Sequence, residues 1–437
     1  MKKILLILMF LFATFSLTAC KKDDSVITFS WWGTTDRNMA TYDVIDLFNE
    51  KYPEYKVKPS MSPWSGYQAS LNNQLSRGTE ADIFQVNYNW IYQMYGIDYF
   101  MDIKELGLDL SSYPDNEHKP LTVDGKILAL SVSETGYILF LNKKVYENAG
   151  IEKIPQTWEE LIAAGQTISS KTPGKYAIGR LDAQQVAILI FSYLAQETGK
   201  NVISNENKLN FSVEELEDGF RFINRLRSNG VLIPSNKDDT HNDGPSNPNW
   251  TAKENYGGML TWNTAISEYE NTLPSGSELV TAGMPQINIG DKLGMYKKVS
   301  MGYAISKRVE NSDLKKVAVK TFIEFITTDP EAVKILGVDR GISSNSVTRG
   351  LLESSTDPVF TATNEWKGHV IVQEYFNHQL TLDQNLYIHP YYEHDSFRKI
   401  YENPIESFLL GNTTGRQAAQ AIVRDFDKEL ARVMGGK

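Results

Sequence analysis

The chain has 437 residues, 54 acidic against 44 basic side chains, a formal charge of −10 and one cysteine. An acidic chain with no Lys/Arg block repels phosphate backbones, which sets nucleic acid aside as a partner. A single cysteine sets aside a disulfide framework and dithiol redox chemistry, and the length predicts two or more domains held by apolar burial.

At the start, Lys2 and Lys3 precede an apolar run from Ile4 to Phe15. This is the plan of a secretory signal peptide, and the run is shorter than the about 20 apolar residues a membrane span needs. The tetrapeptide Leu17-Thr18-Ala19-Cys20 resembles the bacterial lipobox. That resemblance implies that residues 1–19 are removed as signal peptide, that Cys20 receives the lipid and that residues 20–25 form a lipid-anchored tether. Two acyl chains anchor a protein without a spanning helix, each buried methylene contributing about 0.8 kcal/mol.

Further along, Val26 to Trp31 alternates with the period of a strand, and Trp32-Gly33-Thr34-Thr35 turns the chain. Met39, Tyr42, Ile45 and Phe48 recur three apart, predicting a helix from Asp36 that ends before Pro53. A strand resumes at Val57, a helix is predicted over Gly66 to Arg77, and Ala81 to Val86 reads as a buried parallel strand. Capping boxes are predicted at Thr157/Glu160 and Ser212/Glu215, and Asp329-Pro330 reads as a helix start. Ser235 to Asn249, rich in Asn, Asp, Pro and Gly, reads as a long surface loop. Strands alternating with helices predict an α/β fold.

Several separated segments resemble the extracellular solute-binding lipoproteins of carbohydrate ABC importers, the maltose-binding-protein-like family 1. They are Ile27 to Gly33, Phe48-Asn49-Glu50-Lys51-Tyr52-Pro53, Ala81-Asp82-Ile83, Tyr137 to Lys143, Pro155 to Leu161, Gly257-Gly258-Met259-Leu260 before Trp262, and Thr327 to Ala332 before Arg340-Gly341-Ile342. One departure is Ser343, where members commonly carry proline. The resemblance implies two α/β lobes with a hinge and an interlobe ligand cleft. Lobe 1 would comprise 26–135 plus 299–348 and lobe 2 136–298 plus 349–437, with crossings near Ser133 to Gly136 and near Lys298.

Sugars present hydroxyl rims and apolar C–H faces, so their sites combine aromatic platforms with a few fixed polar groups, carried on loops beyond strand ends. Candidate ligand contacts are therefore Trp32 and Arg37 after the first strand, Trp64 and Tyr67 at the next turn, and Asn87, Asn89 and Trp90 after Val86. The second lobe supplies Asp182 and Gln184 after a strand Tyr176 to Leu181, and Trp262-Asn263 after Gly258 to Thr261. Glu134 sits at the implied hinge, and Arg340 and Gly341 open the Gly-Ile turn. Successive strand residues face opposite ways, so one of Trp31 and Trp32 packs in the core. Trp158, in its capping context, is expected to pack as well.

No G-x-S-x-G, H-E-x-x-H or Walker motif occurs, so no catalytic residue, metal or cofactor is expected and the ATPase must be another chain. Asp239 to Gly244 looks partly like a calcium loop, but His241 and Trp250 replace the needed oxygen ligands. His389 and His394 bracket a proline and do not suit a helical metal pair. The expectation is a monomeric receptor on the outer face of the bacterial cytoplasmic membrane. It would capture a carbohydrate, an oligosaccharide by the number of aromatics, and hand it to permease subunits. A secreted glycosidase or lyase, or a binding-protein-type sensor or adhesin, are the alternatives. Cys20→Ala is expected to abolish palmitate labelling and release the protein from membranes or leave it unprocessed; a labelled, membrane-bound variant would refute the anchor.

Overall fold

The computed structural model describes residues 23–435 except 34, 95–97, 115–116, 205, 239–243, 291–292, 339 and 355–388. Cys20, the leader and most of the calcium-like loop lie outside them.

Strand β1 (Val26–Trp32) runs parallel to β2 (Lys56–Ser62) on one side and to β3 (Ile83–Val86) on the other. Ile27, Phe29 and Trp31 are fully buried on one face, where Phe29 packs edge-on to Phe322 of the helix Asp313–Thr328. Trp32 points the opposite way, as alternation requires. The helix Thr35–Lys51 follows the predicted span, but it buries Ala40, Thr41, Val44, Ile45 and Phe48 and leaves Met39 57% exposed. A strict spacing of three advances 300° per step and drifts off a stripe of period 3.6, so the series holds for Tyr42, Ile45 and Phe48, which pack on the core, and fails at Met39.

After a short antiparallel hairpin, β4 (Thr122–Val123) with β5 (Lys126–Ile127), comes the central element, β6 (Leu130–Asn142), thirteen residues long. Its first half, Leu130 to Gly136, pairs antiparallel with β9 (Lys297–Ile305), and β9 pairs antiparallel with β3. The short β10 (Ile342–Ser343) closes the other edge of β6 at Glu134 and Ser133. From Tyr137 onward β6 leaves those partners and pairs with β7 (Gly258–Trp262) and β8 (Leu279–Gly283). The result is a mixed sheet in the first lobe and an antiparallel one in the second, with β6 common to both. Both predicted capping boxes form, at Thr157 and Ser212, and Asp329 caps the helix Pro330–Leu336.

The predicted strand Tyr176 to Leu181 is replaced by isolated parallel bridges, Tyr176 to Tyr256 and Gly179 to Leu232. Gly179 explains the interruption: at φ +121° a Cβ there would lie 2.3 Å from the Tyr256 ring, so only glycine lets the two segments meet.

In the first lobe a buried ion pair ties three elements together. Lys315 Nζ, on the helix Asp313–Thr328, donates at 3.2 Å to both oxygens of Asp82 and at 3.2 Å to the Val26 carbonyl, while Asp82 accepts from the Thr28 amide and hydroxyl at 2.9 Å. Removing one member of a buried pair strands the other charge. Asp82→Ala is therefore expected to lower unfolding free energy by about 3–5 kcal/mol in urea denaturation; a loss below about 1 kcal/mol would mean that the ammonium finds water.

Candidate functional site

Where the strands of the first lobe end, four aromatic side chains gather. Pro63 and a break at Ser65 and Gly66 detach Trp64 from the regular helix that follows, and its ring stays 54% exposed. Trp32 lies 5.1 Å from each of Trp64, Tyr67 and Trp90, and Trp64 stacks on Trp90 at 5.4 Å and 22°. The Tyr67 hydroxyl is anchored on Ser30 at 3.2 Å, so the cluster rests on β1. Asn87 and Asn89, directly after β3, each hold a buried Oδ1 that no donor among the described residues reaches. These are acceptors beside flat apolar rings. Arg37 lies against Gly33, one residue beyond Trp32, with its side chain half-buried.

The second lobe contributes Trp262 at the end of β7, 4.1 Å from Tyr137 on β6 and 5.8 Å from Tyr296. Burial, and then the carboxylates of Asp182 and Glu393, hold the Tyr137 phenol far above its usual range, so it remains a hydroxyl. Asp182 caps the helix Ala183–Thr198, accepting from the Gln185 amide at 2.7 Å. Burial lifts its carboxyl, with the amides of Gln185 and Gln184 pulling the other way. Gln184 accepts from Arg398 at 3.2 Å.

One ammonium connects the two clusters. Lys298, on β9, stands 4.8 Å from the Trp262 ring and 5.1 Å from the ring of Tyr88, the first residue of the helix Tyr88–Met94 that carries Asn89 and Trp90. It is held by Glu393 at 2.5 and 2.6 Å, and Glu393 is also bonded by the Tyr296 hydroxyl. The turn Pro390–Glu393 packs against the helix Tyr88–Met94, so elements of both lobes meet here.

Other expected ligand contacts have internal roles. Asn263 is buried and accepts from the Thr135 hydroxyl at 2.8 Å and the Gly136 amide at 3.0 Å, fastening β7 to the crossing strand. Arg340 is buried in the first lobe, donating to Gln85 Oε1 at 2.7 Å and to the Thr41 hydroxyl, 5.8 Å from the Tyr303 ring. Gly341, at φ +87°, makes the turn that sets β10 on β6. Glu134 is buried and accepts from Lys297 at 2.7 Å, with Arg349 at 4.0 Å. For Asn263, Arg340 and Glu134 the sequence locates the residue without showing which neighbour claims its side chain.

Sequence reasoning placed Lys298 only at a lobe crossing and did not mark Glu393 or Tyr296 as site residues. Nothing in the sequence ties Lys298 to a turn almost a hundred residues later. His389 and His394 turn out to be local: His389 Nδ1 accepts from the Tyr391 amide and His394 Nδ1 pairs with Ser396. Among the described residues no group of three or more His, Cys, Asp or Glu is set to hold a metal, and no helix is long and apolar enough to cross a membrane.

Two lobes that share a strand, with aromatic walls from both meeting at one seam, define a two-lobe binding protein. Residues 32–333 match the family of bacterial extracellular solute-binding proteins, and the chain belongs to that family. It resembles a periplasmic solute-binding protein of Pectobacterium atrosepticum with a TM-score of 0.78 at 27% identity, covering 94% of this chain and 99% of that one. A periplasmic oligogalacturonide-binding protein of Yersinia enterocolitica superposes with a TM-score of 0.80 at 24% identity, covering 94% and 100%. The multiple sugar-binding protein of Streptococcus mutans is 22% identical over 364 residues, 78% of this chain and 82% of that protein. Against a Brucella abortus protein described only as a binding protein, the match is 22% over 204 residues and spans about half of the relative, 47% of its length.

Burial, then the neighbouring Glu117 carboxylate, push the Glu134 carboxyl up to about 8, with Lys297 opposing. The native state thus keeps a proton that the unfolded chain releases near 4.5, and stability should fall as pH rises between those values. Glu134→Gln cannot ionise, so urea midpoints taken from pH 5 to pH 8 should show a shallower decline in the variant; parallel declines would refute the raised value.

Proposed function

We infer that this protein captures an oligosaccharide outside the cell and delivers it to the permease of an ABC importer, held to the outer face of the cytoplasmic membrane through Cys20, and that it catalyses no reaction. The observation that carries this reading is the aromatic seam. Trp32, Trp64, Tyr67 and Trp90 cluster on one lobe and Trp262 with Tyr137 on the other, Lys298 stands between Tyr88 and Trp262, and Asn87 and Asn89 hold buried acceptors after β3. Platforms on two walls suit a ligand of two or more sugar units, because a monosaccharide needs one or two. The sugar names of the Yersinia and Streptococcus proteins support the same ligand class. Arg340, whose guanidinium would clamp an acidic glycan, is already committed to Gln85 and Thr41, which favours a neutral or amino sugar.

The lobe boundary falls between Thr135 and Gly136 in this reading, with β6 and β9 as hinge strands that let the lobes close on ligand. Trp64 is the most open platform and Trp262 the inner one. In calorimetric titration against a panel of neutral, amino and uronic oligosaccharides, Trp64→Ala and Trp262→Ala should each cost about 1–3 kcal/mol of binding free energy, and saturation with the best binder should shrink the radius of gyration in solution scattering. Turnover of a bound glycan would favour the glycosidase reading, and parental affinity in both variants would place the site elsewhere.

A further inference from the structure

We propose that the Lys298–Glu393 pair is the specificity determinant of the seam, selecting uncharged glycans over uronides. This rests on the carbohydrate reading above and adds to it the charge of the substrate and the residues that read it.

The pair occupies the place where the two aromatic walls come together. Its ammonium lies within 5.1 Å of a ring from each lobe, Tyr88 and Trp262, and both Lys298 and Glu393 have side chains no more than 10% exposed. A lone ammonium between two aromatic faces in a site shut off from water is an acceptor for any carboxylate that enters. Here it is not alone. Both carboxylate oxygens of Glu393 lie within 2.6 Å of Nζ, and the Tyr296 hydroxyl fixes the carboxylate from its other side. The positive charge is thereby cancelled by the protein itself.

Such a pair still offers an N–H donor and carboxylate lone pairs at fixed positions. A sugar hydroxyl, which donates and accepts at one atom, satisfies both. A uronate carboxylate only accepts, and it would meet Glu393 as a like charge. Other charges near the seam are also spoken for. Asp182 caps its helix, and Arg398 is bonded to Glu402 at 2.8 Å. Among the described residues this pair therefore sets the charge between the rings: losing Glu393 leaves it positive and losing Lys298 leaves it negative.

The test uses the mature protein and pairs of neutral and uronic oligosaccharides of equal length, chosen as the tightest binders of each kind from the panel. The parent should prefer the neutral member. Glu393→Gln keeps the shape but frees the ammonium, so the ratio of uronide to neutral affinity should rise by about tenfold or more. Lys298→Met leaves the carboxylate unopposed and should move the same ratio down. Opposite movements are something a purely structural ion pair cannot give, because losing a brace weakens both glycans alike. If Glu393→Gln proves too unstable to titrate, Lys298→Met decides alone by the direction of its ratio. Equal weakening of both glycans, or a parent that prefers the uronide, overturns the proposal. A parent that binds no glycan at all defeats the carbohydrate reading itself, and is told apart by the flat parental titration.

Discussion

Strand β6 is hydrogen-bonded into both lobes, and that double membership constrains everything around it. Up to Gly136 its edges belong to β9 and β10; from Tyr137 they belong to β7 and β8. In the proposed closure, movement of the lobes would be taken up where partners change hands, at Gly136 and Tyr137. Asn263, the residue after β7, bonds Thr135 and Gly136 at that junction and ties it to the second lobe. Directly behind it, the Glu134 carboxyl, raised to about 8 and so protonated at neutral pH, is bonded by Lys297 at 2.7 Å with Arg349 at 4.0 Å. A buried polar cluster is weak evidence for stability, but it fixes register, because its groups have no other partner to move to.

The seam is built on the opposite logic. Its walls are aromatic and its polar groups are few, and one ring, Trp64, is left largely in solvent. Burying such a side chain is worth about 1.5–3 kcal/mol, which folding forgoes here. It is forgone by a specific device: Pro63 and the non-helical Ser65 and Gly66 turn the chain so that Trp64 stands clear of the helix that buries Tyr67, Leu71 and Leu75. A ligand face accounts for that arrangement, whereas packing of the lobe does not require it.

Much of the fold was legible because its signals are local. Alternation predicts that Trp31 and Trp32 point opposite ways, and they enter separate buried clusters; capping chemistry placed two helix starts to the residue, and Trp158 packs as expected, its indole donating to Gln196 at 2.8 Å. Spacing by three misjudged the buried face at Met39, and a strand was expected where Gly179 permits only bridges. The candidate site divides for a related reason. Aromatic residues at strand ends are visible in the sequence, since large rings advertise themselves; the partners of its polar residues lie far away in sequence and are not visible. Asn263 finds Thr135, Arg340 finds Gln85 and Lys298 finds Glu393, each across many residues, and no periodicity encodes such pairings.

The two adjacent lysines of β9 show how much one register decides. Lys297 lies opposite Gly136 and Lys298 opposite Thr135, so the pleat sends their side chains to different faces. One reaches Glu134 inside the crossing, and the other reaches Glu393 between the aromatic walls. Sliding β9 by a single residue, so that Lys298 comes opposite Gly136, would put Val299 in the seam and leave Glu393 without its ammonium. The bulges in the β6–β9 pairing, at Ser131 to Ser133 and at Ser133 to Glu134, stand just before these contacts. Bulges re-aim side chains and resist slippage. The geometry that holds the lobes in register is thus the same geometry that sets the charge met by a ligand.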